Sequence, residues 1–304
     1  MPKNLIIFET LLAILVTCCT ARAQGEGDKY VLDSLKMLLA VNTVECDIRI
    51  ETVVEGKEHT ARGSYKEQAL VRRTPGQLTP FQRSTYRLHI SMNSLTTGNH
   101  EPNQMTIVCR PSTNGDRSLV ERYTFIEGEK EFSMIDLTRL EEKLKETNRE
   151  LFFTQVSEVR NLGGLAGMMR QISRFYELSL PIQESLQDEE PIAALKLTGQ
   201  LRSVHYKGLL SRFGGVDKKG EFPMDFPSDI EIWLGRHNDF PYKIRYLRRI
   251  SEKSDRKELL FQETFFNVVL NGTPIPAEDF FPLTPPVDVF MKDDTNDFIK
   301  SLGL

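Results

Sequence analysis

From residue 43 to the C-terminal region, apolar and charged positions mostly alternate with a period of two. In 43–54, Val44, Cys46, Ile48 and Ile50 alternate with Glu45, Asp47, Arg49 and Glu51, which predicts a strand with one dry and one wet face. A returning strand is expected over 59–71 after the turn Glu55-Gly56-Lys57. The same period recurs in Tyr86, Leu88, Ile90 and Met92, and again in Met105, Ile107 and Cys109. Residues 118–127 and 130–135 flank Gly128 as a hairpin, with Tyr123, Phe125, Phe132 and Met134 read as inward. Later strands are expected over 192–204 (Leu195, Leu197), 229–234 (Ile230, Ile232, Leu234) and 242–250 (Tyr242, Ile244, Tyr246). Residues 258–270 are apolar on both faces, as in a strand held between layers.

Helical spacing breaks this pattern at a few places. Residues 28–40 carry Val31, Leu32, Leu35, Leu38 and Leu39 at helical intervals, and Asp136 caps a helix with Leu137, Leu140 and Leu144 inward. Residues 163–180 have the sharpest stripe: Leu165, Met168, Met169, Ile172, Phe175 and Tyr176 on one side, Arg170, Gln171, Ser173, Arg174 and Glu177 on the other. Gly163-Gly164 would let this helix begin close to a sheet. One such helix among many strands points to a plug on a curved sheet, and its two methionines suit repacking around a guest. A short helix closes the chain over 294–302, and 207–227 reads as a long loop.

The first residues carry Lys3, an apolar run from Leu5 to Val16 and then Ala21-Arg22-Ala23, which is the form of a secretory signal cleaved between Ala23 and Gln24. The run is too short to span a membrane. Leu15-Val16-Thr17-Cys18 offers a second, poorer route by lipidation of Cys18. Export implies a periplasmic or otherwise extracytoplasmic bacterial protein that is not integral to a membrane. Only Cys46 and Cys109 then remain, to be joined as one disulfide or buried as two thiols.

The net charge of −4 does not suit nucleic acid. The five histidines are scattered, no Cys-x-x-Cys follows the signal, and no Gly-x-Ser-x-Gly elbow occurs, so neither a metal, a cofactor nor a catalytic centre is expected. The basic residues of 243–257, Lys243, Arg245, Arg248, Arg249, Lys253, Arg256 and Lys257, are read either as an exposed strand face and turn or as a patch for lipid head groups or an acidic partner.

The order of these segments, with GGLAGMMRQISRFYEL, PSDIEIWLGRHNDFPYKIRYLRR and FNVVLNGTPIPAEDFFPLTPPVDVF, resembles the LolA/LolB-like superfamily of exported lipoprotein carriers and RseB-like sensor domains. The resemblance covers most of the chain beyond residue 23. It implies an α+β, mainly antiparallel fold in one domain over 24–304, with a loop insertion at 207–227 and a tail at 271–304. That fold is a highly curved, unclosed β-barrel, a half-barrel whose concave face is covered by helices. It also implies a non-enzymatic protein that holds lipid or an acylated lipoprotein in an apolar cavity. The residues expected to line it are Met168, Met169, Ile172, Phe175, Ile48, Ile50, Leu88, Ile90, Phe125, Met134, Leu195, Leu197, Ile230, Ile232 and Ile244. Arg87, between Tyr86 and Leu88, stands where the family has a strand arginine that latches the lid from inside. The alternative expectation is a sensor or interaction module whose barrel is filled by its own side chains and which docks a protein through 243–257.

Overall fold

The computed structural model describes residues 25–54, 56–69, 84–92, 103–111, 117–126, 128–147, 164–187, 191–281, 283–285, 287 and 289–301. Residues 1–24, with the expected signal sequence and Cys18, and Gly163 lie outside them. In chain order the elements are α1 (Asp28–Ala40), β1 (Thr43–Val54), β2 (Lys57–Ala69), β3 (Ser84–Met92), β4 (Asn103–Pro111), β5 (Ser118–Ile126), β6 (Glu129–Asp136), α2 (Leu137–Thr147), α3 (Gly164–Phe175), β7 (Tyr176–Leu178), β8 (Ile182–Gln187), β9 (Pro191–Leu201), α4 (Ser203–Arg212), β10 (Asp229–Gly235), β11 (Pro241–Arg249) and β12 (Lys257–Leu270). A 3-10 turn (Ala277–Phe280), β13 (Met291–Asp293) and α5 (Thr295–Ser301) follow.

All the described strands join one unclosed sheet in the order β13-β6-β5-β4-β3-β2-β1-β12-β11-β10-β9-β7, with β8 also on β9. Every pairing is antiparallel except β13 on β6. This is the α+β half-barrel that the family resemblance implied. Central β1 and β12 are long, and register shifts at Glu45/Asp47, Trp233/Leu234 and Tyr246/Leu247 bend the ladder where it must curve.

The register assigns every side chain to a face. Leu197, Ile232, Ile244, Glu263, Ile50 and Ala61 form one cross-strand row, and Cys46, Tyr65, Leu88 and Ile107 form another on the same side. These residues, with α1, α2 and α3, belong to one core on the concave side. α1 and α3 pack on each other there.

Of the two states expected of Cys46 and Cys109, the structure has two buried thiols and no disulfide between them. β2 and β3 lie between their strands, and strands about 4.8 Å apart put β1 and β4 beyond the roughly 7 Å reach of a disulfide. Burial pushes the Cys109 thiol up to about 12, so it is inert. Other expectations are corrected. The stretch 207–227 is not all loop, because its first part completes α4. Phe125 pairs with Gln104, and Met134 with Glu121, which places both, with Tyr123 and Phe132, on the convex face.

The convex face is apolar there because the C-terminal segment crosses it. Lys66 Nζ meets Asp279 Oδ2 at 2.8 Å, Arg87 Nη1 donates to the Asp279 carbonyl at 3.1 Å, and the Leu283 N–H donates to Glu121 at 2.8 Å. β13 then adds alongside β6. Arg87 is thus a fastener of the tail on the outer surface and not an internal latch. Among the described residues no helix is long and apolar enough to cross a membrane.

Candidate functional site

The concave side is where the sequence-predicted lining residues meet. Ile48, Leu88, Ile90, Leu197, Ile230, Ile232 and Ile244 are buried in the same core as the apolar stripe of α3, and Ile50 sits at its edge. Leu195 shares their face but is only half-buried. From above, α3 lowers Leu165, Met168, Met169, Ile172 and Phe175, all at most 3% exposed. Of the fifteen residues expected to line a cavity, Phe125 and Met134 lie on the convex face.

α3 is secured differently at its two ends. Its C-terminal end runs without a break into β7, which pairs with β9. Its first turn is tied to the sheet by a polar pair inside the core. The Leu165 N–H donates to Tyr65 Oη at 3.2 Å, and the Tyr65 hydroxyl donates to Glu67 Oε2 at 2.5 Å. A carboxylate beside a helix N-terminus is further favoured by the helix dipole. Gly164 makes this approach feasible: its φ is +57°, and a Cβ would lie 2.5 Å from Tyr65 Oη and 3.2 Å from Glu67 Oε2.

The polar tie at the start of α3 is therefore made by Tyr65 with Glu67 and not by Arg87. Its signal was in the sequence, since Ala61, Gly63, Tyr65 and Glu67 alternate with Thr60, Arg62, Ser64 and Lys66. Two hydrogen-bonding residues on a face otherwise made of small ones mark a place where something polar comes close. Burial, and then the Glu67 carboxylate, push the Tyr65 hydroxyl well above its ordinary value, so it stays a donor. Tyr65→Phe removes an acceptor from the Leu165 N–H and a donor from Glu67. It is expected to destabilise the domain by about 1–3 kcal/mol and to speed amide exchange in the first turn of α3. Unchanged exchange at Leu165 and its neighbours would remove the latch from this account.

A second buried carboxylate, Glu263, also faces the concave side, between Ile50 and Ile244. Reading β12 as apolar on both faces missed it.

The barrel end under α4 is closed by charge and aromatic rings. Asp229 is 0% exposed, and its Oδ1 receives Arg249 Nη2 and Lys257 Nζ, each at 2.8 Å, while Ser228 Oγ donates to Oδ2 at 2.8 Å. Burial raises the Asp229 pKa, but these three donors more than offset it and hold the carboxyl below its ordinary range. Tyr206, Phe213, Phe222 and Phe226 pack edge to face above it.

The basic run of 243–257 does not form one patch. Arg248 is buried, donating to the Phe222 carbonyl at 3.0 and 2.6 Å and pairing with Glu258 at 2.7 Å. Arg249 and Lys257 serve Asp229. Lys243 and Arg245 turn to the convex face, where with Lys196 they surround the Trp233 ring at 5.5, 5.4 and 4.8 Å. Among the described residues no group of three or more His, Cys, Asp and Glu side chains converges as a metal site.

No family model matches the chain, and no curated protein matches it in sequence. Among solved structures it is similar to a DUF1329 family protein from Desulfovibrio piger, at 10% identity over 85% of this chain and 98% of that one, with a TM-score of 0.36. It is similar to LprF from Mycobacterium bovis, at 9% identity over 83% of this chain and 95% of that one, with a TM-score of 0.36. A LolA superfamily protein from Nitrosomonas europaea covers 84% of this chain with 96% of its own, at 10% identity and a TM-score of 0.26. The LolA resemblance met in the sequence is thus met again among solved structures, but at TM-scores below 0.5 it carries no weight for the ligand, which rests on the residues described above.

Proposed function

We propose that the protein is an exported, non-enzymatic half-barrel that binds an apolar ligand of acyl-chain type in the space over the concave sheet that α3 fills here. The observation that carries this reading is α3 itself. It is a methionine-bearing plug, continuous with the sheet at one end and hydrogen-bonded to it through Tyr65 at the other. Released at its first turn, it could swing on the β7 junction and leave an apolar trough lined by Ile48, Leu88, Ile232 and Ile244. Each methylene buried there gains about 0.8 kcal/mol, so a long chain would offset the exposure of the α3 stripe without any polar contact. Methionines can repack against guests of different shape.

Native mass spectrometry on protein purified under mild conditions, with lipid extraction and loading of a fluorescent fatty acid, tests this. Bound lipid, or saturable loading competed by long-chain acyl compounds, is the expected result. Protein that neither carries nor accepts any such compound defeats the reading. The second reading, a sensor or interaction module with a self-filled barrel, is favoured by the full burial of the α3 stripe in this structure. It forecasts no loading and a half-barrel that stays closed.

A further inference from the structure

The tie at the first turn of α3 also sets what a guest in the acyl-chain site must carry at its head. The Tyr65 hydroxyl has one proton, and that proton is donated to Glu67 Oε2 at 2.5 Å. Burial keeps it there, because it pushes the hydroxyl pKa well above its ordinary value. Toward α3, therefore, Tyr65 Oη presents only a lone pair, and the Leu165 N–H donates to it at 3.2 Å. When α3 is displaced that donor leaves, and the oxygen has no proton of its own to offer a guest.

The surroundings carry the same bias. Glu67 shares the concave face with Tyr65, and Glu263 faces the same core from β12; both carboxylates are buried. Among the described residues the one buried cation is Arg248, and the Phe222 carbonyl and Glu258 hold it at the barrel end under α4. The rest of the trough is apolar. Tyr65 stands in a cross-strand row with Cys46 and Leu88, and Ile48 lies two positions along β1 from Cys46. α3 runs 12 residues, about 18 Å, from Tyr65 on β2 to its junction with β7, which pairs with β9. The polar pair lies at the end that α3 releases, so an acyl chain laid along this track has its head at Tyr65 and its tail toward β9.

We propose that the acyl-chain site selects guests whose neutral head donates a hydrogen bond, from an amide N–H or a hydroxyl, to Tyr65 Oη in place of the Leu165 N–H, and disfavours fatty-acid anions. This rests on the acyl-chain reading above and adds the class of head group to it. A head without a donor leaves Oη unsatisfied, and a carboxylate head sets a second anion beside Glu67. The methylenes supply affinity, and Tyr65 with Glu67 supplies the choice of head.

The test is competition of N-methyl-lauramide, N,N-dimethyl-lauramide and laurate for a bound fluorescent acyl probe. It uses the full chain at about pH 8, where a carboxyl of ordinary pKa is ionised. The secondary amide is expected to bind about tenfold more tightly than either the tertiary amide or laurate, the factor that one unmet buried acceptor costs. Its loading is expected to free the Leu165 amide to exchange. Tyr65→Phe is expected to cut the preference for the secondary over the tertiary amide to about twofold or less. Glu67→Gln, whose amide keeps a hydrogen bond to Tyr65, is expected to retain that preference and to narrow the gap to laurate by about fivefold. Each comparison is a ratio within one variant, so a loss of stability common to all ligands cancels. Equal affinity of the parent for the three compounds overturns the proposal and leaves the acyl-chain reading standing. A preference unchanged in Tyr65→Phe, or loading with the Leu165 amide still protected, overturns it as well. Failure of all three compounds to bind ends the acyl-chain reading and this inference with it.

Discussion

Asp229→Asn is expected to lower the stability of the domain by about 3 kcal/mol at neutral pH. Removing one member of a buried ionic group usually costs about 3–5 kcal/mol, because the remaining charges lose their counter-charge. The lower end applies here, since Arg249 and Lys257 are 21% and 34% exposed and water takes up part of the loss. In a domain of this size the melting temperature should fall by about 6–12 °C. The sign with pH follows from the lowered pKa of Asp229. A carboxyl depressed on folding contributes stability above its unfolded pKa of about 3.9, and that contribution is lost as pH falls through the depressed folded value. The gap between parent and variant is therefore full at pH 7 and narrows in acid below about pH 4. Urea melts at both ends of that range check it. A variant that melts with the parent at pH 7, or a gap that widens in acid, means that the cluster does not close the barrel end.

The second large effect belongs to α3. Met169 is 0% exposed, and Met169→Asp would place a carboxylate among Met168, Ile172 and the concave strands. An unpaired charge cannot remain there, so either α3 leaves the sheet or the domain loses about 4 kcal/mol or more. The two outcomes separate the two functional readings. With α3 as a displaceable plug, the variant keeps a cooperative melt and the far-ultraviolet signature of its sheet, binds a hydrophobic dye, and no longer retains an acyl chain. With α3 as a fixed part of the core, cooperativity is lost with the helix. A variant with parental melting and no dye binding would remove Met169 from the concave interior altogether.

Much of the fold was legible because its signals are local. Period-two alternation located β1, β3, β4, β10 and β11, and period 3.6 located α1 and α3. Alternation divides a strand into two faces without saying which is concave. In β5 and β6 the wrong face was chosen, since Tyr123, Phe125, Phe132 and Met134 are apolar beneath a C-terminal strap that local periodicity cannot reveal. The partner of Arg87 was hidden for the same reason: the Asp279 carbonyl lies nearly two hundred residues further along the chain.

By itself, then, the sequence determined the run of half-buried strands, the amphipathic helix with Met168 and Met169, and eight of the strand residues of the core, because amphipathic period and turn chemistry act over a few residues. Tertiary structure alone decided three things. It separated Cys46 from Cys109 by two intervening strands. It gathered Asp229, Arg249 and Lys257 at one barrel end. It brought Tyr65 and Glu67 to the first turn of α3, a hundred residues away. Each depends on strand order and register, which are set by the summed pairing of the whole sheet; the alternation of β2 puts Tyr65 and Glu67 on one face without saying what meets them there.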